Sequence, residues 1–368
     1  MDVVKKIAEH FMLDGEYWKS EAFGDGHIND TFLVYMHEGK EVKKYVLQRI
    51  NGNAFKDINS LMENIIAVSD HLKKAVVSRG GDPKREALSI VYTHDGKSCF
   101  NVDDGSAWRA INYVSDSKSY NNHTSAEQVY ESALAFGKFQ KDLGDFPVEK
   151  LSETIKDFHD TPKRFEALVK AAEKDEFSRL DSVRAEYEFA KSHEKFAHTL
   201  EDMKKSGILP LRVTHNDTKL NNVLFDVNTD KAICVVDHDT VMPGLSVNDF
   251  GDTVRSVVSG ADEDERDLTK VKFHLDLYEL LVRGFLDGTG GTLTDAEVKA
   301  LPYGALMMTL ECGMRFLTDY LSGDVYFKTS RPDHNLDRAR TQFELLRQME
   351  ENIDTMHEIV NKYSQIRR

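Results

Sequence analysis

The segment His215-Asn216-Asp217-Thr218-Lys219-Leu220-Asn221-Asn222, followed by an apolar run over 232–236 that ends in Asp237, gathers the residue types of a phosphoryl-transfer site. Asp217 follows His215 by two residues, Asn222 follows four intervening residues later, and Asp237 lies twenty past Asp217. Transfer to a hydroxyl needs an oxygen base to orient the acceptor. A hard cation such as Mg²⁺ needs oxygen ligands beside the nucleotide phosphates. Asp217 suits the base, and Asn222 and Asp237 suit the metal. Lys219 lies where a cation could offset charge on the transferred oxygens, or is a solvent-facing loop lysine. His215 fits holding the loop better than shuttling a proton. For ordinary turn residues to give this pattern, three spaced positions and a strand-ending aspartate would have to coincide.

A second triplet, Asp249-Phe250-Gly251, spells the metal-binding tripeptide of protein kinases. It falls thirty-two residues past Asp217, after Asp237 has filled the strand-end position. Asp249 and Asp252 are therefore expected to start a helix or anchor a loop. Nearer the N-terminus, Phe23-Gly24-Asp25-Gly26-His27-Ile28-Asn29-Asp30 sits between strands, and backbone N–H groups at Gly24 and Gly26 could approach phosphates closely. Alone, Gly-x-Gly is more often a tight hairpin; ahead of the 215–222 loop, a phosphate cover is the better reading. His27 and Asn29 either reach into a cleft or are turn residues.

The elements that must position these residues follow from periodicity. Strands are predicted at Thr31–Tyr35 and Lys44–Ile50, joined across Glu38-Gly39-Lys40, then at Leu88–Tyr92, Ser98–Val102 and Trp108–Val114. Between them Ile58, Leu61, Ile65, Val68 and Leu72 share one face of a helix over 56–77. After a polar stretch at 115–122, Thr124 and Glu127 form a predicted capping box for a helix to Leu143. Segments at 163–206, 264–287, 294–321 and 335–366 have helical patterns, and 211–240 is a β insert. The expected fold is α+β and two-lobed, protein-kinase-like: residues 1–115 an antiparallel sheet with one helix, residues 116–368 mainly helical. On the 303–321 helix, Glu311, Arg315 and Asp319 stand four apart, which by itself predicts a solvated, salt-bridged stripe.

At 368 residues the chain exceeds one small core, and 40% hydrophobic with 30% charged residues is globular composition. A net charge of -15 would repel polyphosphate backbones and anionic bilayers, so neither nucleic acid nor membrane is an expected partner. No export signal is visible after Lys5 and Lys6. Cys99, Cys234 and Cys312 are odd in number and far apart, which fits a reduced, cytoplasmic setting and argues against disulfides and structural zinc.

The catalytic loop resembles that of the aminoglycoside phosphotransferase and choline kinase superfamily. Gly24–Asn29, Leu151–Ile155, Phe158-His159-Asp160-Thr161-Pro162, Met242–Gly244, Glu311–Phe316 and Gly323–Tyr326 resemble a subgroup that phosphorylates N-acetylhexosamines at the anomeric hydroxyl. That resemblance implies ATP and Mg²⁺ as cofactors, a small sugar as the other partner, and a monomer. It implies Asp217 as base, Asn222 and Asp237 as metal ligands, and Tyr113 with Val114 as a hinge beside adenine. It makes His27, Asn29, Arg315 and Tyr326 the hexosamine contacts, turning Arg315 into the cleft, where a guanidinium suits a polyol. Two positions depart from the kinase pattern. Gln48 and Arg49 occupy the place of the phosphate-binding lysine, so Gln48 is a candidate neutral donor or Arg49 a substitute, and Glu63 is a weak partner for either. His238 stands where the subgroup has an apolar residue.

Overall fold

The structure, a computed structural model, describes residues 3–24, 29–52, 54–103 and 105–365. Gly26 and His27 lie outside the described residues.

The N-terminal region is built on an antiparallel sheet of β1 (Glu16–Ala22), β2 (Asp30–Glu38), β3 (Glu41–Ile50), β4 (Ile90–Val91), β5 (Phe100–Asn101) and β6 (Ala107–Asn112). The spatial order is β1-β2-β3-β6-β4, with β5 also on β6. Alternation along each strand sorts the side chains. Val34, Met36, Tyr45, Leu47, Trp108 and Ala110 pack with Val4 and Ile7 of the Val3–Ala8 helix. The opposite parity sends Thr31, Val46, Gln48, Arg109 and Ile111 into a cavity. Register aligns three of these in a row, Thr31 opposite Gln48 and Gln48 opposite Arg109. The expected strands at Leu88–Tyr92 and Ser98–Val102 shrink to two residues each, because their only strand partner in the sheet is β6.

The helix Ile58–Ser78 starts at Asp57, whose carboxylate accepts from Ser60 N at 3.0 Å, a standard N-cap. Its apolar face matches the periodicity, while Glu63 faces solvent. Asn64 sits within the buried face and is satisfied by distant backbone. It donates to Ser152 O (2.8 Å) and Val241 O (3.1 Å) and accepts from Ser152 N (2.9 Å).

Beyond the sheet the chain is mainly helical around one large core. Two small antiparallel sheets interrupt it: β7 (Ser117–Lys118) with β9 (Val223–Asp226) and β10 (Ala232–Val235), and β8 (Arg212–Thr214) with β11 (Met242–Gly244). The helices Ser246–Val257 and Asp295–Leu321 touch backbone to backbone. A Cβ on Gly251 would lie 2.1 Å from Gly304 O, and one on Gly304 2.1 Å from Val247 O. The glycine of the Asp-Phe-Gly triplet is thus a packing residue. No helix among the described residues is long and apolar enough to cross a membrane.

Several boundaries differ from the periodicity. The cap before the Ala126–Asp142 helix is Ser125, which accepts from Gln128 N, one residue later than expected. Thr124 instead donates its N–H to Gln128 Oε1 at 2.8 Å. The 163–206 segment breaks at Asp175, which is left-handed (φ 37°), and resumes as short helices over 184–205. The helix expected over 264–287 begins only at Leu275, and 335–366 divides at Asn352.

Candidate active site

β8 delivers the chain into the 215–222 loop, and the Ser246–Val257 helix fixes that loop from behind. Asp249, fully buried, accepts from His215 N (2.9 Å), Asn216 N (2.8 Å) and Gln140 Nε2 (2.7 Å). Asp252 accepts from Thr218 N at 2.7 Å. Both acidic residues anchor the loop, as expected. His215 donates from Nε2 to Val236 O at 2.9 Å, while its Nδ1 accepts from Asp217 N at 3.3 Å. Those two contacts leave Nδ1 as an acceptor and commit the Nε2 proton to a backbone carbonyl, so the ring holds the loop. Asn216 is left-handed (φ 63°), a conformation asparagine tolerates. Its side chain is locked by Thr240 O (2.9 Å) and by the Thr214 hydroxyl (3.0 Å).

The turn at Asn216 presents the Asp217 carboxylate. Oδ1 pairs with Lys219 Nζ at 3.0 Å and Oδ2 accepts from Asn222 Nδ2 at 3.1 Å. Lys219 is therefore a partner of Asp217, and that carboxylate raises the ammonium's pKa above its ordinary value. β10 leads to Asp237, which is left-handed (φ 61°). Desolvation within the cleft, then Asp239 and Asp217, push the Asp237 carboxyl up to about 7. Asp237 keeps access to solvent through the cavity, so repulsion among the three carboxylates is the component a cation would relieve. Asn222 donates through its nitrogen, leaving Oδ1 as a neutral oxygen ligand. Among the described residues no group of three or more His, Cys, Asp or Glu is placed to hold a metal. One amide and one carboxylate fit Mg²⁺, which retains waters and takes phosphate oxygens. His238 is buried between this strand end and Phe139. Burial first, and then His215, lower its pKa to about 3, so it is neutral packing.

A cavity of about 460 Å³ lies between sheet and loop, bordered by Gly24, Gln48, Tyr113, Val114, Asn222 and Asp237 among others. Its one buried cation among the described lining residues is Arg109, 2% exposed. Arg109 Nη1 lies 2.5 Å from Asp239 Oδ1, a charge contact without hydrogen-bond alignment. Its Nε donates to Gln48 Oε1 at 2.9 Å, and Gln48 Nε2 donates to Thr31 Oγ1 at 3.1 Å. Asn29 joins this network, donating to Asp239 Oδ2 at 2.6 Å and accepting from Asn51 N at 3.0 Å. Arg49 has the other parity, is 44% exposed and faces Asp30 at 3.9 Å. Of the two candidates for the missing lysine, Gln48 is in the cavity and Arg49 is not. Arg109 is the residue sequence reasoning missed. Its signal is a lone cation in the apolar run Ala107–Ile111, directly across from Gln48.

On the Asp295–Leu321 helix the solvated-stripe expectation fails. Glu311 and Asp319 are 0% and 4% exposed, because loops cover that helix face. Asp319 accepts from the N–H groups of Val325, Tyr326 and Phe327 at 2.8–2.9 Å. Glu311 accepts from Thr161 Oγ1 at 2.6 Å and lies 2.7 Å from His159 Nδ1. His159 Nε2 in turn lies 3.1 Å from Asn216 O. Arg315 sits among three rings, 5.1 Å from Phe158, 5.5 Å from Phe327 and 6.0 Å from Tyr326. With Arg164 and Thr318 it borders a side cavity of about 230 Å³.

Residues 19–280 match the family model of the phosphotransferase enzyme family, APH. Similar solved structures include an aminoglycoside phosphotransferase from Alicyclobacillus acidocaldarius (13% identity, 96% of this chain and 97% of that one, TM-score 0.61). A spectinomycin phosphotransferase in complex with ADP and spectinomycin is 12% identical over 95% of this chain and 98% of its own, at TM-score 0.57. A choline kinase from Cryptosporidium parvum is 13% identical over 98% of both chains, at TM-score 0.55. At such identities the likeness is one of fold. The family match spans most of the sequence, and the chain belongs to the phosphotransferase enzyme family.

Proposed function

We propose that this phosphotransferase is an ATP- and Mg²⁺-dependent kinase that phosphorylates the anomeric hydroxyl of an N-acetylhexosamine, GlcNAc or GalNAc. The observation that carries the kinase chemistry is Asp217, held by Lys219 and Asn222 and backed by Asp237 at the floor of the large cavity. Asp217 orients the acceptor hydroxyl and takes its proton. Lys219, already beside that carboxylate, offsets charge on the transferred oxygens. Asn222 and Asp237 would hold Mg²⁺, which when bound neutralises phosphate charge. Gly24 lies over the cavity, and Gln48 and Arg109 offer donors to the phosphates, in place of the usual lysine. Tyr113 and Val114 border the adenine end.

Arg315 and Tyr326, which border the side cavity, are the proposed sugar contacts among the described residues, together with Asn29, which donates to Asp239 at the large cavity. A guanidinium ringed by aromatic faces gives both planar apolar surface and several donors, which suits a neutral polyol. The division into a nucleotide-binding part (1–115) and a catalytic, sugar-binding part (116–368) is supported by β7, which already pairs with β9 at Asp226 and Phe225. A cytoplasmic monomer completes the proposal.

The test is incubation with ATP, Mg²⁺ and a panel of free sugars, choline, homoserine, a thioribose and kanamycin, with the product's phosphate position identified. The expected product is an N-acetylhexosamine 1-phosphate, because donors that pair with an acetamido group stay unpaired when plain hexoses bind. Phosphate on the 6-hydroxyl, or equal kcat/KM for choline or kanamycin, would overturn the sugar assignment and leave another small-molecule hydroxyl kinase.

A further inference from the structure

His159 stands at a junction that the catalytic assignment does not use. Its side chain is 9% exposed, with Glu311 Oε1 2.7 Å from Nδ1 and the carbonyl oxygen of Asn216 3.1 Å from Nε2. A backbone carbonyl can only accept, and an ionised carboxylate can only accept. A neutral imidazole has one N–H, so it would set a lone pair against one of these oxygens. Glu311 already has its second oxygen occupied by the Thr161 hydroxyl. We propose that His159 is a positioning residue, held as an imidazolium between Glu311 and Asn216 O, which fixes the backbone immediately before Asp217 and ties it to the helix carrying Arg315.

The surrounding charges agree with this state. Facing His159 from the Asp295–Leu321 helix are Glu311 and Arg315, and from the Ser246–Val257 helix Asp252, itself paired with Arg255. Burial and Arg315 oppose the cation, but Glu311 prevails, so the His159 pKa lies above its ordinary 6.5 and that of Glu311 below its ordinary 4.5. The junction matters because Asn216 is left-handed. Its carbonyl direction sets the peptide plane from which the Asp217 side chain departs. Releasing that carbonyl lets the base move, while neither Asn216 nor His159 borders the large cavity, so its lining keeps its own contacts.

The proposal rests on Asp217 acting as base, and its test separates the two ideas. In protein carrying ¹⁵N-labelled histidine, both ring nitrogens of His159 are expected to stay protonated as the pH rises past 6.5, where an ordinary histidine loses its second proton; the resonances are assigned by their loss in His159→Gln. One unprotonated nitrogen there, as in a neutral imidazole facing a protonated Glu311, would overturn the proposal whatever the enzyme's activity. The second arm is kinetic. Wild-type kcat is expected to fall at alkaline pH as His159 deprotonates, with KM for ATP unmoved. In Glu311→Gln the amide can donate to Nδ1, so a neutral ring satisfies both contacts and the alkaline limb attributable to His159 disappears. An alkaline limb identical in wild type and Glu311→Gln would also overturn it. If His159→Gln fails to fold, the shift of the same resonances in Glu311→Gln supplies the assignment.

Discussion

Asp249 and Asp237 are both acidic residues beside the 215–222 loop, yet the structure gives them opposite work, and exchanging each carboxylate for an uncharged side chain separates the roles. In Asp249→Asn the amide oxygen can keep the two donors now on Oδ2, His215 N and Gln140 Nε2. Its NH₂ then faces Asn216 N–H, which loses its acceptor. One orphaned buried N–H costs about 1–3 kcal/mol, and the two remaining bonds lose their charge assistance. Relief of a carboxylate that burial already disfavours, its pKa raised mainly by desolvation, offsets part of this. The net expectation is a loss of about 2–3 kcal/mol. At about 2.1 cal/mol/K per residue, a chain of 368 residues unfolding as one unit carries about 0.8 kcal/mol/K, so Tm falls by about 3 °C. Asp249→Ala orphans all three donors and should lower Tm roughly twice as far. Asp237→Ala removes a carboxylate crowded by Asp239 and Asp217, so the unliganded Tm should hold or rise. Its loss appears with ligand: Mg²⁺-ADP at 100 times its Kd stabilises wild type by about 2.7 kcal/mol, about 3 °C on the same scale, and Asp237→Ala should show none of it. Differential scanning calorimetry with and without Mg²⁺-ADP reads both quantities. A normal Tm for Asp249→Ala with the Mg²⁺-ADP shift abolished would refute the reasoning and move the metal to the downstream triplet.

Asp217→Asn should retain nucleotide affinity while turnover falls by about 10²–10⁴-fold, since the proton acceptor is lost and the cavity is not; calorimetric ADP binding and initial rates check the two halves. Arg109→Leu leaves the Asp239 carboxylate buried beside an apolar side chain and should cost about 3–5 kcal/mol. The double change Arg109→Leu with Asp239→Leu should recover most of that stability without recovering ATP affinity, and full recovery of both would show that Arg109 is structural only. Gly251→Ala places a methyl 2.1 Å from Gly304 O, so the helices must separate. An unchanged or raised Tm, the result that an exposed helical Gly→Ala change gives, would contradict the backbone contact.

The meeting of the 215–222 loop with the strand-ending Asp237 was legible because the spacing is local: two carboxylates and an amide within 217–237 need only one loop and one strand to meet. Arg109 was not legible, because its partners Gln48 and Asp239 lie 61 and 130 residues away: strand register brings Gln48 to it, and the seating of the sheet against the 238–240 turn brings Asp239. Glu311 and Asp319 show a different obscurity. Spacing of four puts them on one helix face whether that face meets water or a covering loop, and composition does not distinguish the two. The same holds for His159, whose partners on the loop and the long helix are more than fifty residues away. The fold class followed from the balance of periods, mostly two before residue 115 with one helix among the strands, and mostly 3.6 after 124 with one β insert. Helix breaks at Asp175 and Asn352 escaped because the apolar pattern continues across them while the backbone does not.

Asn64 carries a mechanical consequence. The Ile58–Ser78 helix belongs in sequence to the sheet, and its first turns, through Leu61, Met62 and Ile65, share a core with Ile50 and Leu88. Its later turns, through Val68, Leu72 and Val76, are embedded in the core of the helical part. Asn64 stands at the changeover and is bolted to Ser152 and Val241, while His71 meets Asp145 at 2.8 Å further along. The helix is therefore a bearing rather than a passenger. Tilting the sheet against the helical body must pivot about this fixed rod, giving the outer strands β1 and β2 the longest lever arm. The cavity border at Gly24 would then travel further than the border at Asp237, so one rotation would move the two ends of the same cavity by different amounts.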